Sequence, residues 1–113
     1  MTALPLRTLL RGALVAAALL ALAAGTRAAA GYRISQHERA FNRAALAIAI
    51  GDVVHFDNND EFIHQIYIQS PDFNFDSAES YPGDTIDVAF TRQGSFEVRC
   101  HIHPKMLLQV TVK

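Results

Sequence analysis

The sequence has few residues that could cross-link or stiffen a small fold. Its 113 residues include a single cysteine, Cys100, no tryptophan and four prolines. One cysteine excludes an internal disulfide, although small exported domains often depend on disulfides for stability. The thiol therefore needs another explanation: a buried inert side chain, a partner in an intermolecular disulfide, or a metal ligand.

The sequence also lacks an excess of positive charge, because its formal net charge is −1 at pH 7. Nucleic acids and anionic membranes are bound by basic surfaces, so we expect neither as a partner. No pair of carboxylates is placed for hydrolysis, and no nucleophile stands beside a base. We therefore do not expect an enzyme.

The most hydrophobic stretch of the chain lies near its amino terminus. Two arginines precede the apolar segment 12–24, and small residues follow, with Ala28 and Ala30 in an A-x-A arrangement. The apolar segment is too short to span a bilayer comfortably, and the three parts together are typical of a secretory signal peptide. We predict a signal peptide over residues 1–30, cut after Ala30, and a periplasmic location; an uncleaved anchor is the alternative.

The predicted mature chain, residues 31–113, is long enough for one small domain only. It holds seven basic and eleven acidic residues, a mildly acidic balance. We expect a monomer that has no membrane association once the signal peptide is removed.

Apolar and polar residues alternate along most of the mature chain, which is typical of strands with one buried face. Turn residues such as Gly51 and Gly94 separate the alternating segments. Several short strands of this kind indicate a sandwich or a barrel. Only residues 36–45 could form a short helical turn. The alternation is clearest at 46–50, 64–68, 86–90, 96–100 and 108–112.

Three side chains suited to metal binding stand at the ends of predicted strands. His64, Cys100 and Met106 each share the parity of the apolar residues in their own segment. Because successive side chains of a strand point to opposite faces, all three should point toward the core. A metal site at one end of the sandwich follows.

The segment 100–106, C-H-I-H-P-K-M, offers a thiolate, an imidazole from His103 and a thioether from Met106. Two histidines, a cysteine and a weak axial methionine make up a blue-copper site, so His64 completes the set. Soft sulfur ligands suit Cu(I), whereas imidazole suits both oxidation states, and the mixed set favours electron transfer. Taken singly, each of these residues has a structural interpretation as ordinary core.

The segment 100–106 resembles the copper-binding loop of the cupredoxins and is most similar to its amicyanin form. Upstream, an aromatic residue, an asparagine and the first histidine follow the family spacing at Phe56, Asn58 and His64. The resemblance implies an all-β, Greek-key β-sandwich of about seven to eight strands. It also implies that Asn58 ties the first-ligand loop to the backbone near the cysteine. One type 1 copper ion would be bound by His64, Cys100, His103 and Met106.

Four positions depart from the family pattern without removing a ligand. Ile63 stands where a proline is frequent, Gln65 where an asparagine is frequent, and Leu107 where a glycine is common. His101 is an additional imidazole, and strand parity places it on the surface, away from Cys100.

The resemblance implies a carrier of single electrons between redox partner proteins, such as a cytochrome or an oxidoreductase. It also implies that the His103 ring reaches the surface. A copper chaperone or storage protein would use the same ligands and is the main alternative. A zinc-stabilised or metal-free adhesion module, and a domain of a multicopper oxidase, are further alternatives.

Overall fold

The structure, a computed structural model, describes residues 27–113. Residues 1–26, which make up most of the predicted signal peptide, lie outside the described residues. The described part contains nine strands and no helix, so the prediction of an all-β domain is confirmed. No helix in this part is long and apolar enough to cross a membrane. The strands are β1 Gly31–His37, β2 Ala40–Phe41, β3 Ala45–Ile48, β4 Val53–Asn58, β5 Ile66–Ile68, β6 Phe75–Asp76, β7 Thr85–Ala89, β8 Gly94–Cys100 and β9 Leu107–Val112.

The strands form two sheets. One has the order β2-β1-β4-β7 and the other the order β3-β9-β8-β5-β6. Each sheet contains one parallel pair, β1 with β4 and β3 with β9, and the remaining pairs are antiparallel. The nine strands are more than the expected seven to eight, because the count includes β2 and β6, which have only two residues each.

The core lies between the two sheets and is formed by the alternate residues of the longer strands. In β8, Phe96, Val98 and Cys100 are buried while Glu97 is exposed, as the sequence alternation predicts. Both sheets contribute to one apolar cluster, which includes Ile34, Val54, Phe56, Val88, Leu46, Ile66, Phe96, Leu108 and Val110. This packing fixes the strand ends from which the candidate site is built.

The expectation of a helical turn within residues 36–45 is wrong. A tight hairpin joins β1 to β2 there, with His37 paired to Ala40 across a two-residue loop. The loop residues Glu38 and Arg39 both have positive φ angles, 53° and 57°. A two-residue hairpin of this kind needs positive φ at both positions, which a right-handed helical turn does not contain.

Candidate metal centre

The candidate site lies at the end of the sandwich where β4 and β8 finish. His64 follows β4 and is held by a two-way backbone pairing with Ser80, with N–O distances of 2.9 and 2.7 Å. Cys100 is the last residue of β8, and His103 lies in the loop that leads to β9. The loop is closed by a hydrogen bond from the Met106 N–H to the His103 carbonyl at 3.1 Å.

The structure brings three of the predicted ligands together: His64, Cys100 and His103. The Cys100 Sγ lies 3.7 Å from His64 Nδ1 and 3.8 Å from His103 Nδ1, and the two Nδ1 atoms are 3.2 Å apart. A triangle with these sides has a circumscribed radius of about 2.1 Å, within the range of metal bonds to imidazole and thiolate, about 2.0 to 2.3 Å. One metal ion can therefore contact all three atoms without moving them.

A buried carboxylate orients the first of these histidines. His64 Nε2 lies 2.9 Å from Asp60 Oδ2, and the two side chains are 0% and 3% exposed. Because the carboxylate accepts, the ring proton is placed on Nε2 and the Nδ1 lone pair faces Cys100 and His103. A carboxylate that fixes the tautomer and orientation of a histidine is a common feature of metal sites.

The Asp60 carboxylate is ionised although it is buried. Burial by itself would raise its pKa, but hydrogen bonds from the Arg39 N–H, the His64 ring and the Glu61 N–H outweigh that effect. Together they lower the pKa of Asp60 to about 2. Asp60 is therefore negatively charged at neutral pH, next to the His64 ring.

The Cys100 thiol is buried in the core end of β8, with 2% of the residue exposed. The Gln65 N–H points at its sulfur at an N–S distance of 3.5 Å, and the His101 N–H donates to the Gln65 carbonyl at 2.9 Å. When Cys100 binds a metal as a thiolate, this N–H can donate to the ligand sulfur. The same bonds join the His64 loop to the cysteine strand.

Asn58 does tie the His64 loop, but its partners differ from the expected ones. Its side-chain NH₂ donates to the Phe62 and Ser80 carbonyls at 2.9 and 2.8 Å, and its Oδ1 accepts from the Asp60 N–H at 2.9 Å. None of these bonds reaches the backbone near Cys100. The bond to the Ser80 carbonyl instead joins Asn58 to the residue that pairs with His64.

Met106 is buried, with 2% of the residue exposed, just before the first residue of β9. It shares the inner face with Leu108, Val110 and Val112, as its parity predicts. Its backbone belongs to the same short loop as His103. Its role as an axial ligand stays a prediction.

His103 is the most accessible of the three clustered ligands, being half-buried while His64 and Cys100 are buried. The Phe62 ring contacts it edge-on, with the centroids 6.0 Å apart. Burial lowers the pKa of His103, and the nearby charges of His64 and Arg39 act in the same direction, whereas Asp60 opposes them. Two neighbouring apolar residues, Phe62 and Ile102, are 39% and 45% exposed, and Arg39 and Lys105 line the same surface.

Two features of the site were not predicted from the sequence. Asp60 was not identified as the partner of His64, although its position four residues earlier in a polar loop was a usable signal. His101 is exposed, as expected, but its ring is not simply solvated. It stacks on Tyr67 with the centroids 3.9 Å apart, and it bonds to Asp76 at 3.0 Å.

Comparison with solved structures identifies the fold. A purple cupredoxin from Nitrosopumilus maritimus matches with a TM-score of 0.65 and 22% identity, over 73% of this chain and 99% of that one. A reduced amicyanin variant matches with a TM-score of 0.68 and 19% identity, over 80% of this chain and 89% of that one.

A copper-containing nitrite reductase from Thermus scotoductus also matches, with a TM-score of 0.64 and 22% identity. The match spans 79% of this chain but only 24% of the reductase. No protein-family model and no curated protein matches the sequence. With its two-sheet sandwich and its His–Cys–His group at one end, the chain has the cupredoxin fold.

Proposed function

We propose that this chain is a copper protein that carries single electrons between redox partner proteins. The observation that carries the proposal is the triangle of His64 Nδ1, Cys100 Sγ and His103 Nδ1, whose size fits one metal ion. A copper ion would be held by these three atoms, with Met106 as a weak axial ligand. When bound, copper supplies a one-electron change between Cu(I) and Cu(II).

The ligand types favour copper over zinc. Zinc would accept the two imidazoles and the thiolate, but it gains nothing from a thioether. Met106, buried beside the same loop, gives a soft fourth donor that suits Cu(I). The cupredoxin fold of the chain supports the same choice, since similar structures include amicyanin in its Cu(I) form.

The surroundings of the ligands favour electron transfer over copper delivery. Hydrogen bonds from Gln65 to Cys100 and from His64 to Asp60 hold two of the donors in a buried, preformed arrangement. A preformed set needs little rearrangement when the charge of the metal changes. A chaperone must instead release its metal to a partner, and a site closed around Cys100 and His64 hinders that release.

The surface next to His103 is the proposed place of contact with redox partners. Among the three clustered donors, its side chain is the one that reaches solvent. The exposed apolar residues Phe62 and Ile102 lie next to it, and the charged side chains of Arg39 and Lys105 line the same surface, with the Arg39 guanidinium 4.1 Å from the centre of the Phe62 ring. A partner that covers this surface would bring its own redox centre close to the metal site.

The proposal includes export. The basic, apolar and small-residue parts of the first 30 residues support a signal peptide and a periplasmic location. A lone cysteine engaged by a metal would also be protected from intermolecular disulfide formation in that compartment. We propose that the processed protein acts as a monomer.

Redox cycling in the presence of a Cu(I) chelator tests the proposed function. The copper-loaded protein is reduced and reoxidised repeatedly while its visible spectrum is recorded and the chelator is monitored for copper. An electron carrier returns to its starting spectrum with its copper retained. Stoichiometric transfer of Cu(I) to the chelator at each reduction would contradict the carrier and support the chaperone or storage alternative.

A further inference from the structure

Asp52 directly precedes β4, at the end of that strand opposite the metal site. Its carboxylate is completely buried and accepts four hydrogen bonds. It accepts from the backbone N–H groups of Ala30 and Ala49, each at 2.9 Å. The Arg27 guanidinium donates to both of its oxygens, at 2.9 and 3.4 Å. The Arg27 bonds, followed by the two backbone bonds, lower the pKa of Asp52 to about 2.

The segment that reaches Asp52 therefore belongs to the folded domain. Besides the Ala30 N–H bond to Asp52, the Ala30 carbonyl accepts from the Val53 N–H at 2.9 Å, which extends the pairing of β1 with β4. A cut after Ala30 would remove both of these bonds and the only charged partner that Asp52 has in the described residues. A buried carboxylate that loses its cationic partner is strongly destabilising.

We propose that the Asp52 carboxylate anchors residues 27–30 to the domain through these hydrogen bonds and that the mature chain retains Arg27. The signal-peptide cut then lies on the amino-terminal side of Arg27, not after Ala30. Small residues are required at the first and third positions before the cut. Gly25 and Ala23 meet this requirement, and so do Ala23 and Ala21, so the mature chain begins at Thr26 or at Ala24. The inference rests on the export part of the proposed function and is independent of copper.

The first test is the intact mass of the protein, expressed from the full gene with its own leader and purified from the periplasm. An intact mass that corresponds to a chain starting at Thr26 or at Ala24 supports the proposal. An intact mass that corresponds to a chain starting at Ala29 or Gly31 overturns the processing claim alone, because export has still occurred. A chain that keeps Met1 overturns the processing claim, and a protein found only in the cytoplasm overturns export as well.

The second test measures the coupling between Arg27 and Asp52. Urea denaturation midpoints are compared for the wild type, Arg27→Gln, Asp52→Asn and the double variant, each metal-free and each with its mass verified. We expect Arg27→Gln to lower the midpoint in the wild-type background and to have no effect when Asp52→Asn is present. An equal shift of the midpoint in both backgrounds would show that Arg27 does not act through Asp52 and would refute the proposal.

Arg33→Gln is the matched control, because Arg33 is also exposed and pairs with a carboxylate, Asp57, at 2.7 Å. Its effect on the midpoint should be the same with and without Asp52→Asn. If Asp52→Asn does not accumulate, Arg27→Lys replaces it. The lysine keeps the positive charge at the carboxylate and should retain more of the wild-type midpoint than glutamine does. A glutamine as stable as the lysine would overturn the proposal.

Discussion

Removal of the Asp60 charge is a demanding test of the structure around the metal site. Asp60→Asn preserves the shape of the side chain but replaces one acceptor oxygen with an NH₂ group. In the wild type, Oδ2 accepts from both the Arg39 N–H and the His64 ring, and Oδ1 accepts from the Glu61 N–H. Asparagine cannot accept at both positions, and it provides no negative charge behind His64.

The pKa of Asp60 sets the expected size of the effect. An ordinary aspartate titrates near 3.8, whereas Asp60 titrates at about 2 in the folded protein. The difference corresponds to roughly 2 kcal/mol of stability at neutral pH. Because the folded-state pKa is the lower one, this stabilisation is fully present above the unfolded-state pKa. It is lost as the pH falls from about 4 to about 2.

Urea denaturation of the metal-free protein at pH 7 and at a series of pH values down to 2 measures this effect. We expect Asp60→Asn to be less stable than the wild type by about 2 kcal/mol at pH 7, with the difference shrinking as the pH approaches 2. The control is Asp87→Asn, which removes the exposed aspartate paired with His55. It should cost no more than about 0.5 kcal/mol, as exposed ion pairs do. Equal costs for the two variants at pH 7 would refute the reasoning.

Three further changes probe other parts of the structure. Gln36 is completely buried, and neither polar atom of its side-chain amide has a hydrogen-bond partner in the described residues. Gln36→Leu should therefore raise the free energy of unfolding by about 1 kcal/mol in urea denaturation. A loss of stability would mean that the amide does have a partner. Asn58→Ala removes three hydrogen bonds, two of them buried, and should cost at least about 2 kcal/mol in the same assay. A neutral effect would mean that the His64 loop holds its shape without them. In the copper-loaded protein, Met106→Gln should lower the reduction potential in a potentiometric titration, since an amide oxygen favours Cu(II) over Cu(I); an unchanged potential would contradict an axial role for Met106.

Strand alternation was enough to predict the buried faces of the sandwich. The burial of His64, Cys100 and Met106 follows from their parity with neighbouring apolar residues, and the structure confirms it at 0%, 2% and 2% exposure. Cys100 ends β8 and Met106 directly precedes β9, while His64 lies two residues before β5 in an isolated bridge with Ser80. In each of these extended positions the pleat still decides the direction of the side chain.

The first strand and the hairpin that follows it could not be predicted in this way. β1 contains the polar residues Arg33, Ser35 and Gln36, and the last of these points into the core, so the strand carries a weak apolar signal. Its parallel pairing with β4 joins residues far apart in sequence. The hairpin after it depends on positive φ angles at Glu38 and Arg39, and neither residue type indicates such angles.

Most of the hydrogen bonds that support the site could not be predicted from the sequence. The pairing of Asp60 with His64 depends on a loop conformation that several backbone N–H groups stabilise at once. The stack of His101 on Tyr67 requires the register between β5 and β8, which places Tyr67 opposite Arg99. Such register is fixed by the whole sheet, so residue types alone do not specify it.

The visible spectrum of the Cu(II)-loaded protein, compared with that of Cys100→Ser, tests the central claim most directly. In a site formed by His64, Cys100 and His103, charge transfer from the thiolate to Cu(II) gives the wild type an intense visible band. Cys100→Ser keeps the two imidazoles, so it can still bind copper but should lose that band. An intense band that survives in Cys100→Ser, or a wild type that binds Cu(II) without one, would contradict the account.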